Sequence, residues 1–280
     1  MAWTWAVVNQ KGGVGKTTTA INLAAYLARS HRVLLVDTDP QGNATSGAGA
    51  ERRGLVRDTC SVLTGDATIA ETRVPCAVPG LDVLPATINL VGAELLISQR
   101  DDGEFQLRKA IADVADAYDF VLIDSPPSRG AITINALVAA DEVIIPMQCE
   151  YFALEGIAHL LDLIGKVREG PNPDLEIGRV LLTMCDDRTN LAQLVANDVR
   201  SFFGDQVSPF VVPRNVKLPE ASSFGKPISL YDPRSKGARA YESISRELIE
   251  HVQRKTARVP ETRSGEGVGR TASRWWRRGS

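Results

Sequence analysis

Short, almost unbroken apolar runs alternate along the chain with longer stretches in which apolar residues recur every three or four positions. The runs predict strands at Trp3–Asn9, Val33–Asp37, Leu81–Pro85, Phe120–Asp124, Glu142–Met147, Ile177–Thr183 and Phe210–Val212, because β-branched and aromatic residues between turn formers favour extended backbone. Near-continuous apolarity, as in VLLV and FVLI, belongs to strands covered on both faces. Between them the helical period predicts helices over Lys16–Arg29, where Ala20, Leu23, Ala24 and Leu27 share a face, and over Ile88–Gln99, Phe105–Ala117, Ala153–Arg168, Leu191–Phe203 and Gly237–His251. Strands alternating with helices predict an α/β fold, a doubly wound and mainly parallel twisted sheet flanked by helices. From about Thr256 the period stops and the chain turns rich in Gly, Ser, Thr and Arg. One domain over residues 1–255 with a basic, disordered tail over 256–280 is therefore expected.

Composition narrows this picture. With 280 residues and 44% hydrophobic content, the chain can bury one sizeable core. It has no run of about 18 apolar residues and no basic leader before the apolar start MAWTWAVVNQ, so a cytoplasmic protein with no membrane span or signal peptide is expected. The four cysteines, Cys60, Cys76, Cys149 and Cys185, lie far apart with no CxxC pair. Reduced, mostly buried thiols are expected in place of a zinc site, an iron–sulfur site or a disulfide framework. The net charge of -2 hides an asymmetry: residues 1–178 are acidic on balance and residues 179–280 basic. A C-terminal part that faces a polyanion would look like this, and so would a merely solvated tail.

The strongest chemical signal is NQKGGVGKTT at residues 9–18, where a strand gives way to glycines and then to a helix. Gly12, Gly13 and Gly15 let the backbone, Val14 included, turn its N–H groups toward phosphate oxygens. The helix start adds its positive dipole end, Lys16 neutralises the β/γ-phosphates, Thr17 offers a hydroxyl to Mg²⁺, and Thr18 completes the loop. Asp37 and Asp39 in LLVDTDPQGN, and Asp124 at the end of FVLIDSPP, sit where strand ends meet such a site, and three carboxylates there suit Mg²⁺ and water. A single strand-terminal aspartate is more often a turn former; three converging on a phosphate loop are not. Pro126 and Pro127 stiffen the loop after Asp124.

The general pattern GxxxxGK[ST] requires glycine at position 10, where this chain has Gln10, and position 11 carries a second lysine. KGGVGKTT resembles instead the deviant phosphate loop of the ParA/MinD group of ATPases. The longer stretches IPMQCEYFALEG (145–156), TMCDDRTNL (183–191) and VPRNVKLPEASSFGKPISLYDPRSKGARAY (212–241) look like the ParA/Soj partitioning branch, and the likeness runs over roughly residues 3–250. That resemblance implies a Mg²⁺-dependent ATPase of the phosphate-loop fold, with ATP and Mg²⁺ as cofactors. It implies an ATP-sandwich homodimer in which Lys11 reaches the partner's phosphates while Lys16 serves its own. Asp39 then positions the attacking water, Asp37 supports the metal surroundings, and Pro213 and Asn215 approach the adenine. It further implies non-specific binding of double-stranded DNA through Arg188 and Lys217, and a ParB-like partner that triggers hydrolysis and release on the nucleoid.

Departures are local. The family often has arginine where Lys217 stands, a small or apolar residue where Arg129 stands, and SEAP where this chain reads PEAS. The tail RTASRWWRRGS lacks the period of a MinD-type membrane helix, which weighs against the alternative of a membrane-surface spatial regulator. It could add DNA affinity or do nothing. Paired interface cysteines of the nitrogenase iron protein type have no counterpart, and a non-catalytic DNA scaffold would have little use for Lys16, Asp39 and Asp124. The chain opens on its first strand, so an N-terminal helix-turn-helix domain and specific operator binding are not expected.

Overall fold

Alternation along the strands divides their apolar side chains between the two faces of one sheet. In β1 (Trp3–Val7), Ala6 packs on one face and Trp5 and Val7 on the other. In β2 (Val33–Asp37), Leu34 and Val36 oppose Val33 and Leu35, as a period of two requires. Both sets are buried, which explains why the strands read as solid apolar runs. The computed structural model describes residues 2–150, 155–186 and 189–257.

The remaining strands are β3 (Val74–Pro75), β4 (Leu81–Leu84), β5 (Phe120–Asp124), β6 (Glu142–Gln148) and β7 (Glu176–Thr183). They lie in the order β3-β4-β2-β5-β1-β6-β7, all parallel except the edge pair β3 and β4. The expected doubly wound α/β sheet is therefore present. The helices are α1 (Lys16–Leu27), α2 (Asn43–Gly47), α3 (Thr59–Leu63), α4 (Ile69–Thr72), α5 (Leu90–Ser98), α6 (Gln106–Ala112), α7 (Ala131–Ala139), α8 (Ala158–Glu169), α9 (Asn190–Phe203), α10 (Lys217–Ser223), α11 (Ile228–Tyr231) and α12 (Lys236–Ala257).

One face of the sheet is covered by α1 and α12, which meet through the Thr19 and Tyr241 hydroxyls, 3.1 Å apart. The other is covered by α5, α6, α7, α8 and α9. At the N-terminal end of β6 the carboxylate of Glu142, only 1% exposed, accepts hydrogen bonds from Trp5 Nε1 (3.1 Å), His251 Nε2 (2.7 Å) and Lys255 Nζ (2.7 Å). This buried cluster ties the end of α12 to the centre of the sheet.

Several expectations need correction. Phe210–Val212 is not a strand: Pro209 and Pro213 bracket it, proline cannot donate to a ladder, and only isolated bridges form nearby, Val180 with Val207 and Cys185 with Pro213. Helix α7 was not predicted, because Ile132, Thr133, Asn135, Ala136, Leu137 and Val138 are all buried and leave no polar face to reveal a period. Helix α6 stops at Ala112, five residues short of the expected end, and α12 continues past His251 to Ala257, into the first residues assigned to the tail. Residues 258–280, and residues 153–154 of the predicted fourth helix, lie outside the described residues.

The cysteines also differ from expectation. Cys149 and Cys185 form a disulfide with their Cα atoms 5.3 Å apart, while Cys60 and Cys76 are free. The reason is register: Gln148 of β6 pairs with Thr183 of β7, so the residues just beyond each strand are carried together although 36 positions separate them in sequence. Among the described residues no helix is long and apolar enough to cross a membrane.

Candidate nucleotide site

Register brings the chemistry to one edge. Val7 at the end of β1 pairs with Asp124 of β5, and Asp37 of β2 pairs with the same Asp124. The loop that follows β1 therefore emerges beside both carboxylates, at the C-terminal edge where the connections reverse direction. Gly13 and Gly15 take φ values of 75° and 91°, left-handed backbone that favours glycine, and Gly15 starts α1. A Cβ at Gly12 or Gly13 would meet nothing within 4 Å, so the mouth of the loop is open space. Val14, Lys16, Thr17 and Thr18 follow as expected.

Neighbouring strands hold the loop in shape. Asn9 donates to the Pro146 carbonyl (2.7 Å) and accepts from Lys11 N (3.0 Å), Gln148 Nε2 donates to the Gly13 carbonyl (2.9 Å), and Thr183 Oγ1 donates to the Val14 carbonyl (2.9 Å). Lys16 is 7% exposed and its Nζ donates to the Lys11 carbonyl at 3.2 Å. Burial lowers its pKa, against the pull of Asp124 and Asp39. A desolvated ammonium of this kind is poised to take an anion.

The carboxylates divide their work. Asp37 is fully buried and accepts from Asp39 N (3.1 Å), Thr45 N (2.7 Å) and Thr45 Oγ1 (2.7 Å); burial nevertheless pushes its pKa up to about 6. Asp124 is equally buried, and neither of its oxygens makes a well-formed hydrogen bond, the Thr17 hydroxyl being only near enough to weigh on its pKa. Burial first, then the charge of Asp37, raises its pKa well above the ordinary carboxylate range, and the Thr17 hydroxyl works in the opposite direction. Two orphaned carboxylate oxygens are costly unless a cation takes them. Thr17 and Asp124 thus fit Mg²⁺, with Asp37 bracing the surroundings through its three hydrogen bonds. Among the described residues no three His, Cys, Asp or Glu side chains form a ready metal cage, as suits an ion that keeps waters and substrate phosphates as ligands. Asp39 is half-buried and its Oδ1 accepts from Gln41 N at 2.9 Å.

A carboxyl whose pKa is raised by folding favours its neutral form, so its contribution falls as pH rises from the unfolded value toward the folded one. At neutral pH, Asp124→Asn is therefore expected to stabilise the metal-free protein by about 1–3 kcal/mol and to abolish the rise in Tm that Mg²⁺ and ATP give the wild type. Thermal unfolding with and without Mg²⁺ and ATP checks both; a destabilised metal-free variant would refute the assignment.

A cavity of about 300 Å³ opens beside Gly15 and Thr18, and both Pro213 and Asn215 line it. Met184, Val212, Leu218 and Tyr241 join them. Nothing in the sequence brings these four together, since they come from four separate segments, and Met184 owes its place to a positive φ of 52°. Arg129 Nε donates to Gln10 Oε1 at 2.8 Å, which ties the loop after β5 to the phosphate loop.

The side chain of Lys11 turns to an acid just past β6. Its Nζ lies 3.0 Å from Glu150 Oε2, with the two side chains 41% and 49% exposed.

Comparison with known proteins agrees with this geometry. The AAA domain family matches residues 3–177. The chain is 49% identical over 267 residues to the chromosome partitioning protein ParA of Myxococcus xanthus (strain DK1622), covering 92% of this chain and 93% of that one. It is 51% identical over 244 residues to the sporulation initiation inhibitor protein Soj of Bacillus subtilis (strain 168), covering 87% and 96%. The chain belongs to the ParA/Soj family of chromosome-partitioning ATPases. Among solved structures, cobyrinic acid a,c-diamide synthase from Mycobacterium smegmatis, with a bound ATP analog and magnesium, superposes with a TM-score of 0.80 at 37% identity and covers 90% and 96% of the two chains. ATP hydrolysis is the activity in the family's name, and the loop, Lys16 and the buried carboxylates of the chain lie together where such chemistry would need them.

The DNA positions fare differently. Arg188 lies outside the described residues. Lys217 stands at the start of α10, where it pairs with Glu220 (2.8 Å) and lies 5.9 Å from the Tyr231 ring centroid.

Proposed function

We propose that this ParA/Soj ATPase forms an ATP-sandwich homodimer that binds double-stranded DNA without sequence preference, and that a ParB-like partner stimulates Mg²⁺-dependent hydrolysis to release it. The observation that carries the reading is Lys11: a second cation on the phosphate loop, half-exposed and paired only with an exposed glutamate among the described residues. An exposed ion pair of this kind is worth less than about 1 kcal/mol, so a partner's triphosphate can displace Glu150 at little cost. In the dimer Lys16 then neutralises phosphates in its own subunit, Lys11 those of the other, and Asp39 positions the attacking water.

DNA binding follows from dimerisation. Helix α11 packs against α10 and α12; Lys217 and Lys236 begin α10 and α12, Lys226 and Arg234 lie in the connections between the three helices, and Arg214 comes just before them. Doubling such a patch raises the number of phosphates neutralised, and affinity should fall by about 0.9 log units per log of salt for each. The tail over 258–280 adds arginines on the same side of the charge asymmetry. A membrane is not the favoured surface, because the sequence around those arginines has no helical apolar period.

The test is binding to a non-specific duplex across a salt series, without nucleotide, with ADP, and with ATP under non-hydrolysing conditions. Wild type is expected to bind in the ATP state alone, and Arg188→Glu/Lys217→Glu to lose at least about ten-fold in affinity, since two phosphate contacts per subunit become repulsive. Equal binding in all nucleotide states would refute the switch.

A further inference from the structure

We infer that Cys149 and Cys185 form a reversible thiol–disulfide site, a two-cysteine oxidation sensor whose oxidised form restrains the nucleotide edge. The bond joins the residues just past β6 and β7, and what surrounds it is the machinery already described. On the β6 side, Gln148 holds the Gly13 carbonyl and Glu150 holds Lys11. On the β7 side, Thr183 holds the Val14 carbonyl, and Met184 lines the cavity that contains Pro213 and Asn215. Cys185 itself donates its N–H to the Val212 carbonyl (3.3 Å) and accepts from Arg214 N (3.1 Å), which places it at the base of that same cavity wall. A covalent link here fixes Glu150, and through it Lys11, relative to the loop that carries Pro213 and Asn215.

The site is reachable. Both cysteines are largely buried, at 8% and 5% exposure, yet Cys185 also lines a separate cavity of about 260 Å³ together with Ala192, Ala196, Asn197, Arg200 and Val211. That opening gives a small oxidant a route to Cys185, with Cys149 beside it as the resolving thiol. With a peroxide as oxidant the chemistry balances. The Cys185 sulfur attacks one peroxide oxygen, the O–O bond breaks, and water leaves with formation of a sulfenic acid. The Cys149 thiol then displaces the hydroxyl as a second water, and the two electrons lost by the thiol pair have reduced the peroxide. A thiol reductant reverses the step. In a reducing compartment such disulfides are transient and serve sensing more often than stability.

The functional part rests on the reading of Lys11 as a cross-subunit cation; the chemical part does not. Wild-type protein is treated with dithiothreitol or with hydrogen peroxide, and peptides are mapped after alkylation of free thiols. The peroxide sample is expected to show a linked Cys149–Cys185 peptide with Cys60 and Cys76 still alkylated, and the reductant is expected to remove the link. Absence of the linked peptide overturns the proposal. The two forms are then compared for ATP-dependent dimerisation and for ADP dissociation, with Cys149→Ser and Cys185→Ser as variants that cannot close the bond. The oxidised wild type is expected to dimerise about ten-fold more weakly than the reduced one, and both serine variants to match the reduced form whether or not peroxide is present. A redox-dependent ADP dissociation rate with no dimer in either form would uphold the sensor and refute the Lys11 reading. A linked peptide without any change in dimerisation or ADP dissociation overturns the sensor.

Discussion

Lys11→Ala is expected to leave ADP binding within a factor of two or so of wild type while it removes ATP-dependent dimerisation and lowers stimulated turnover by roughly 10³-fold or more, the scale of a cation supplied in trans to a transferring phosphoryl group. The two halves of this prediction come from different contacts. In the proposed site ADP is held by the glycine backbone, Lys16 and the cavity beside Gly15, none of which requires the Lys11 side chain. The Lys11 backbone does take part, since its N–H donates to Asn9 and its carbonyl accepts from Lys16, but alanine keeps both groups. What alanine removes is an ammonium whose only described ion-pair partner is the exposed Glu150. Lys16→Ala should behave differently, weakening both ADP and ATP. Equilibrium nucleotide titration, sedimentation with a non-hydrolysable ATP analogue and single-turnover hydrolysis separate the cases. If Lys11→Ala still dimerises with ATP, the second lysine has another purpose.

The phosphate loop was legible because its chemistry is local: glycines, lysine and threonine lie within ten residues, and the strand before and helix after them confirm the setting. Asp37 and Asp124 were nearly as legible, since a carboxylate that ends an unbroken apolar strand of a parallel sheet is delivered to the C-terminal edge, where such sheets bind their ligands. What sequence could not display were contacts made by register. Nothing in the spacing of Cys149 and Cys185 shows that β6 and β7 run side by side and end level, and nothing near Met184 shows that its backbone turns left-handed to line a cavity. Glu142 is the clearest case: at the head of a strand it reads as an ordinary solvated start, whereas the parallel pairing of β6 with β1 buries it beneath Trp5, and α12 must run beyond its expected end to bring Lys255 to it. The short helices α2, α3 and α4 escaped notice for a simpler reason. Four or five residues make barely one turn, too little for any period to emerge.

Glu142→Ala should accordingly be among the most destabilising single changes in the domain. It strands the Trp5 indole N–H and leaves the Lys255 ammonium with Glu176, which is 59% exposed, as its remaining acid. Removing one partner of a buried charged cluster costs about 3–5 kcal/mol, a large share of a typical domain's total. The pH dependence gives the cluster its own signature. Burial alone would raise the pKa of Glu142, but hydrogen bonds from His251 and Lys255, and then their charges, hold it down at about 2, against an ordinary 4.5. A carboxyl depressed by folding contributes stability that is complete above its unfolded pKa and is lost as pH falls through the folded one. Wild type should therefore lose about 3 kcal/mol of this contribution between about pH 4.5 and pH 2. The neighbouring Asp141, whose pKa burial raises, offsets part of that loss only as pH falls to its ordinary 3.8, and none of it below. Glu142→Gln separates charge from shape: it can still accept from Trp5, so it should recover part of the stability at neutral pH while showing a flatter acid limb. Denaturant unfolding of wild type and both variants from about pH 2 to pH 7 measures this directly, and parallel acid limbs in all three would mean that Glu142 is not the group whose protonation loosens α12 from the sheet.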